Sequence, residues 1–195
     1  TIEMGGEQEQ MLESFRDLIL AFFLAVALVY MVMAAQFESF KQPFIIMFTV
    51  PLALTGVIFA LLLTGRHINL TSLIGVIMLA GIVVNNAIVL IDFINQLRSR
   101  GVPRNEAIIE AGPRRLRPIL MTTLTTVLGL IPLAFGFGEG AELAAPMATA
   151  VIGGLSLATV LTLVVIPVVY TIFEDWGDIL ARYRKKRRMK RRAEA

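Results

Sequence analysis

Cysteine is absent from this chain, which excludes disulfides, thiolate metal sites and cysteine nucleophiles. Histidine occurs once, at His67, too few for a histidine-based metal centre. It falls in a short polar turn and reads as a plain loop residue. No nucleophile–base pair, glycine-rich phosphate loop or paired carboxylate set occurs, so nothing points to an enzyme. Charge is missing from the first long apolar run, Leu18 to Ala35. A net charge of +3 and a pI near 9.6 do not indicate nucleic acid, because the bases are not spread over a folded surface. Nine of the 18 Lys and Arg lie after Ala181, the pattern of a tail at the cytoplasmic edge of a membrane.

What fills the chain instead is hydrocarbon. Hydrophobic residues make up 56% of the sequence and the mean hydropathy is +0.75, too apolar for a soluble domain that needs a polar surface. They come in five blocks: Leu18–Ala35, Phe44–Leu63, Leu70–Ile94, Pro118–Phe137 and Met147–Phe173. Each approaches or exceeds the ~20 residues that cross a bilayer. The reading is an all-α membrane protein with five transmembrane helices, and the lipid bilayer is its first partner. Pro51 and Pro132 inside blocks are tolerable, since neighbouring helices re-satisfy the freed carbonyls. Residues 1–17 read as the polar end of a larger external domain with a helix lead-in, so the chain looks like a piece of a longer protein. Residues 174–195 form the basic tail.

Orientation follows from the placement of Lys and Arg. One side holds only Arg16 and Arg66. The other holds Lys41, six Arg between Arg98 and Arg117, and the nine bases of the tail. The amino end is therefore outside and the carboxyl end cytoplasmic. The acidic turn Gly138–Pro146 lies outside with Glu139 and Glu142. Within the cytoplasmic loop, Val102–Ala111 reads as a separate short amphipathic helix, begun by Pro103 and ended by Gly112-Pro113. Ile108 and Ile109 would lie on the membrane interface, with Arg104 and the glutamates in water.

Polar groups inside hydrocarbon are costly, so they are the first candidates for function. The third block carries Asn85 and Asn86 near its middle and Asp92 near its cytoplasmic end. Asn85 and Asp92 are two turns apart and share a face with Ile88 and Val89. Asp92 is placed to anchor at the interface or to pair with an arginine of the loop. Adjacent amides point about 100° apart, so one asparagine can face a packed helix while the other faces a polar path. In the fourth block Thr122, Thr125 and Thr126 share a face, and Arg115 precedes Thr122 by two turns. These hydroxyls either satisfy their own helix carbonyls or line a hydrated path. Gly75, Gly81, Gly153 and Gly154 are close-packing signals.

Several strings, in this order, resemble one family: Gln36–Phe40, Val50–Ala53, Gly81–Asp92, and Arg115–Thr123. It is the resistance-nodulation-cell division (RND) transporters, in their hydrophobe/amphiphile efflux branch, and the likeness runs from about Glu9 to Trp176. The resemblance implies helices eight to twelve of a twelve-helix bundle in a bacterial cytoplasmic (inner) membrane. It implies a homotrimer that works with a periplasmic adaptor and an outer-membrane channel. It implies proton-driven export of amphiphilic or hydrophobic compounds, with the proton as coupling ion and no cofactor. In that family protons pass through two aspartates on helix four, a lysine on helix ten, and an arginine and a threonine on helix eleven. Arg115 and Thr122 match the helix-eleven positions. Asn85 stands where the family has its lysine, with Asn86 matching the asparagine beside it, so the candidate relay is Asn85, Asn86, Arg115 and Thr122. Asp92, Thr125 and Thr126 are secondary polar positions. The metal-exporting branch typically carries a glutamate in this stretch, and its absence here favours organic substrates.

Two other readings compete. Glu106-Ala107 followed by Gly112 fits the first half of the cytoplasmic loop motif of ATP-driven import permeases, but Thr122–Thr125 stands where that motif needs Ile-x-Leu-Pro. A non-transporting membrane assembly subunit is the third.

Overall fold

A computed structural model describes residues 2–137 and 141–193, with side chains for 8–137 and 141–175. Gly138–Gly140 of the acidic turn, the side chains of the basic tail and those of the first seven residues lie outside the described set. The chain folds into helices α1 (Ile2–Phe37), α2 (Lys41–Met47), α3 (Thr49–Thr64), α4 (Leu70–Ser99), α5 (Arg104–Ala134) and α6 (Ala141–Ala193). Among the described residues, five stretches are long and apolar enough to cross a membrane, with α2 and α3 together making the second. Their apolar side chains face outward in large numbers, Phe23, Leu62, Leu63 and Met121 among them. That surface fits lipid or further protein and not water.

Three places depart from the sequence-based reading, each for a local reason. The second block is broken at Phe48. Pro51 has no N–H for the Met47 carbonyl and its ring crowds that carbonyl, so the chain turns there and restarts. The loop segment is not a separate helix: α5 runs unbroken from Arg104 through Gly112-Pro113 and Pro118. Ala107 and Ala111, both 0% exposed, dock its first turns onto the core, and the Glu110–Arg114 ion pair (2.7 Å) bridges Pro113. Tertiary packing outweighs the propensity penalty at that point. Ile108 packs against the core while Ile109 stays exposed. The third departure is α6, which starts at Ala141 and takes Pro146 into its second turn, where proline removes a single hydrogen bond.

Helix α6 is the hub, packing against α3, α4 and α5 as well as α2, whereas among the described residues α1 packs against α2 and α4. Small residues set the closest approach. A Cβ on Gly56 would sit 2.7 Å from the Gly153 carbonyl oxygen, one on Gly153 2.0 Å from the Ala60 Cβ, and one on Gly75 2.9 Å from the Met147 carbonyl oxygen. Backbones this near gain dispersion that lipid cannot match. Gly81 corrects the expectation: nothing lies within 4 Å of its Cβ position, and it belongs to an open face of α4.

The outer ends are closed by specific polar groups. Gly65 (φ 64°) ends α3 in the left-handed region, and Asn69 and Ser72 form a reciprocal cap on α4. Between them Arg66 reaches across the bundle. Its guanidinium donates to the carbonyls of Ala145 (2.6 Å) and Ala134 (2.7 Å) and to the Thr149 hydroxyl, tying the end of α5 to the start of α6. Charge-assisted bonds of this kind contribute about 1.5–3 kcal/mol. Arg66→Ala is expected to lower stability by about 2 kcal/mol, read as an earlier unfolding midpoint of the full-length protein in detergent. Arg66→Lys recovers only part of it, because an ammonium cannot fork to two helices.

Candidate functional site

The two asparagines of α4 part as the helical angle requires. Asn86 is 7% exposed, buried within the bundle. Asn85 is exposed, on a stripe with Ile74, Met78 and Gly81 that continues through the half-buried Asp92 to Gln96. At Asn85 this largely exposed stripe puts a polar amide at mid-span.

On α5, Thr122 and Thr125 are exposed and Thr126 is half-buried. Each donates to a carbonyl of its own helix: Thr122 to Ile119 (2.9 Å), Thr125 to Met121 (2.8 Å), Thr126 to Thr122 (2.9 Å). Their oxygens keep free acceptor capacity on the open side. The threonine between them does something else. Thr123 is 6% exposed and pairs its hydroxyl with Thr159 of α6 at 2.9 Å, a cross-helix bond of the kind that holds membrane bundles together.

Arg115 lies against α4, its guanidinium carbon 4.5 Å from the centre of the Phe93 ring. Its Nε is buried without a hydrogen-bond partner, and no carboxylate pairs with it among the described residues. A buried donor left unmade costs about 1–3 kcal/mol. Asp92 does not supply the missing anion; it accepts from Gln96 at 2.8 Å. The helices α4 and α5 run antiparallel and meet at Phe93 and Arg115. From that level to Asn85 on one and Thr122 on the other, each climbs two turns, roughly 10–12 Å. Asn85 and Thr122 therefore stand at one height above Arg115. Asn86 is the member of the candidate set turned away, into the bundle.

A second polar cluster sits at the basic end, and sequence patterning does not single it out. Tyr170, 2% exposed, donates to Asn95 Oδ1 (3.3 Å) and accepts from Arg98 (2.7 Å). Asn95 donates to Gln42 (3.0 Å), and Arg98 pairs with Glu174. Arg104 pairs with Asp175 at 2.5 Å. A tyrosine inside an apolar run, one turn before two acids, is the one sequence signal that could have flagged it.

Comparison with known proteins places these features. The sequence profile of the AcrB/AcrD/AcrF family matches residues 1–174. The chain is 42% identical over 188 residues to the swarming motility protein SwrC of Bacillus subtilis (strain 168), covering 96% of this chain and 17% of that protein. Two crystal forms of a heavy-metal efflux pump superimpose on it. One gives a TM-score of 0.77 at 36% identity over 86% of this chain and 16% of the pump; the other gives 0.68 at 39% identity over 78% and 15%. The chain thus spans about a sixth of the length of the relatives it matches.

Proposed function

The chain belongs to the AcrB/AcrD/AcrF family of RND transporters, and from that premise we propose that it is the carboxyl-terminal membrane part of a proton-driven exporter of amphiphilic or hydrophobic organic compounds. Family membership removes the ATP-driven permease and the scaffold subunit from consideration. The observation that carries proton coupling is Arg115, a cation against the membrane bundle with a buried, unpartnered Nε and no anion paired to it among the described residues. Such a charge requires a counter-charge. The exposed stripe of Asn85, with Thr122 at the same height on α5, offers a place for a carboxylate-bearing helix from the other half of the transporter. Protonation of that carboxylate would release its hold on Arg115 and the amide, which is the switch an antiporter needs.

Asn85 shapes how the switch works. An ammonium at this position would neutralise a carboxylate; an amide only hydrogen-bonds to it. Arg115 therefore carries the electrostatic half of the relay and Asn85 the positioning half. The assembly we propose is a homotrimer in the cytoplasmic membrane, working with an adaptor and an outer channel where the cell has an outer membrane. The neutral amides on α4, where metal exporters of the family carry a glutamate, support organic cargo. A specific observation favours a second reading, metal export: the pump that superimposes on this chain is a heavy-metal pump.

Cells making the full-length protein separate the two. Organic cargo predicts tolerance to cationic dyes and detergents that a protonophore abolishes, with no gain against copper, silver or zinc ions. Metal tolerance alone would contradict the reading. Within the same assay, Asn85→Leu is expected to reduce dye efflux about fivefold, the loss of roughly one hydrogen bond, whereas Asn85→Lys keeps it.

A further inference from the structure

The cluster at the basic end surrounds a cavity of about 620 Å³ between α2 and α6. It is lined by three cations, Lys41, Arg98 and Arg104, and two anions, Glu174 and Asp175. Arg98 and Arg104 are each paired with an acid. Lys41 is exposed and has no ion-pair partner among the described residues, so the lining keeps one positive charge in excess. Beside Lys41 the Ser39 Oγ accepts from the Lys41 backbone N–H (3.3 Å), which leaves its own proton to donate.

Directly against this polar cavity lies an aromatic surface. Phe173 lines the cavity and meets Phe44 at 5.5 Å and Phe48 at 6.4 Å between ring centres; Phe44 and Phe48 are 5.7 Å apart. Phe44 is 48% and Phe48 42% exposed, and both begin the second membrane span. A charged cavity at the end of the spans, continuous with exposed aromatics on the hydrocarbon side, has the two-part chemistry of one ligand. A free anion would use only the first part and an apolar solute only the second.

We propose that this cavity holds the phosphate headgroup of a phospholipid from the leaflet at the basic end of the bundle. Lys41 and the Ser39 hydroxyl take the phosphate, and an acyl chain lies along Phe44, Phe48 and Phe173. Long cationic side chains at span ends meet lipid phosphates at this depth. Bound there, the lipid joins the start of α2 to the Phe173 level of α6, where ion pairs tie α6 to α4 and α5 and the Asn95–Gln42 hydrogen bond ties α2 to α4. The site is independent of proton coupling, since none of its groups belongs to the Asn85–Arg115 face.

The test is native mass spectrometry of the full-length transporter, extracted in mild detergent and titrated with phosphatidylethanolamine or phosphatidylglycerol. Wild type should retain bound phospholipid. Lys41→Glu should lower occupancy of the tightest site at least about fivefold, and Lys41→Arg should restore it. Lys41 is exposed, so both variants should fold; wild-type size-exclusion profiles and thermal midpoints for Lys41→Glu and Lys41→Arg confirm it. Millimolar inorganic phosphate should not displace the lipid. Equal occupancy in wild type and Lys41→Glu, or displacement by inorganic phosphate alone, would overturn the proposal.

Discussion

Arg115→Ala in the full-length transporter is expected to cut proton-gradient-driven efflux at least about tenfold while leaving the amount of folded protein unchanged. Tenfold requires the guanidinium to contribute only about 1.4 kcal/mol to the coupled step. Its surroundings make that a low threshold. The cation stacks on Phe93 and its buried Nε meets no acceptor among the described residues, so the proposed function gives its counter-charge to a group outside these spans. Removing it leaves that group without its counter-charge, and such uncompensated charge costs several kcal/mol in a low-dielectric setting. Phe93→Leu separates the stacking from the charge: it removes a contact of about 0.5–2 kcal/mol and should slow efflux by a smaller factor. Arg115→Lys keeps the charge but loses the flat stacking surface, and should fall between the two. Initial rates of dye transport in inverted vesicles, normalised to protein in the membrane, give the order. Equal rates in all four proteins would remove Arg115 from the mechanism.

The largest structural effect is expected at Gly153. Its Cβ position is already 2.0 Å from the Ala60 Cβ and 2.9 Å from the Gly56 carbonyl oxygen. Neither atom is the far end of a flexible side chain, so the two helices must separate. The displaced surface is the α3–α6 seam around which Ala53, Val57, Leu61 and Leu155 are buried. Overpacking of this kind costs about 1–3 kcal/mol for added methylenes. Gly153→Val, which adds a branched side chain against backbone, should reach about 3 kcal/mol or more. The expected result is a lost or broadened monodisperse peak in size-exclusion chromatography and a clearly earlier thermal midpoint. Retention of the wild-type midpoint would mean that α3 and α6 do not approach at this point.

The five spans were legible because hydrocarbon thickness leaves little choice of length, and uncharged runs such as Leu18–Ala35 declare themselves. The division of labour between Asn85 and Asn86 was half legible. Helical geometry requires adjacent residues to diverge, but which one faces the bundle depends on the neighbouring helices, which no local pattern reveals. The unbroken α5 was not legible. Gly112-Pro113 is a sound local stop signal, and it is overridden by Ala107 and Ala111 docking on residues far away in sequence. The threonine stripe was read from spacing alone, which groups Thr122, Thr125 and Thr126 correctly yet misses Thr123, whose role exists only opposite Thr159. The bridging role of Arg66 is hidden for the same reason: its acceptors, the carbonyls of Ala134 and Ala145, carry no sequence signature. Gly81 shows the converse, a packing residue by type whose Cβ position has no described neighbour within 4 Å.

The central claim is that these spans carry one side of a proton path coupled to export. Full-length protein in liposomes, with a fluorescent amphiphile and a pH-sensitive dye on opposite sides of the membrane, measures both fluxes at once. The account predicts that an imposed proton gradient drives amphiphile transport, that protons move in the opposite direction in fixed ratio, and that Arg115→Ala abolishes both together. Amphiphile transport that continues at full rate without a proton gradient, or proton flux unchanged in Arg115→Ala, would contradict it.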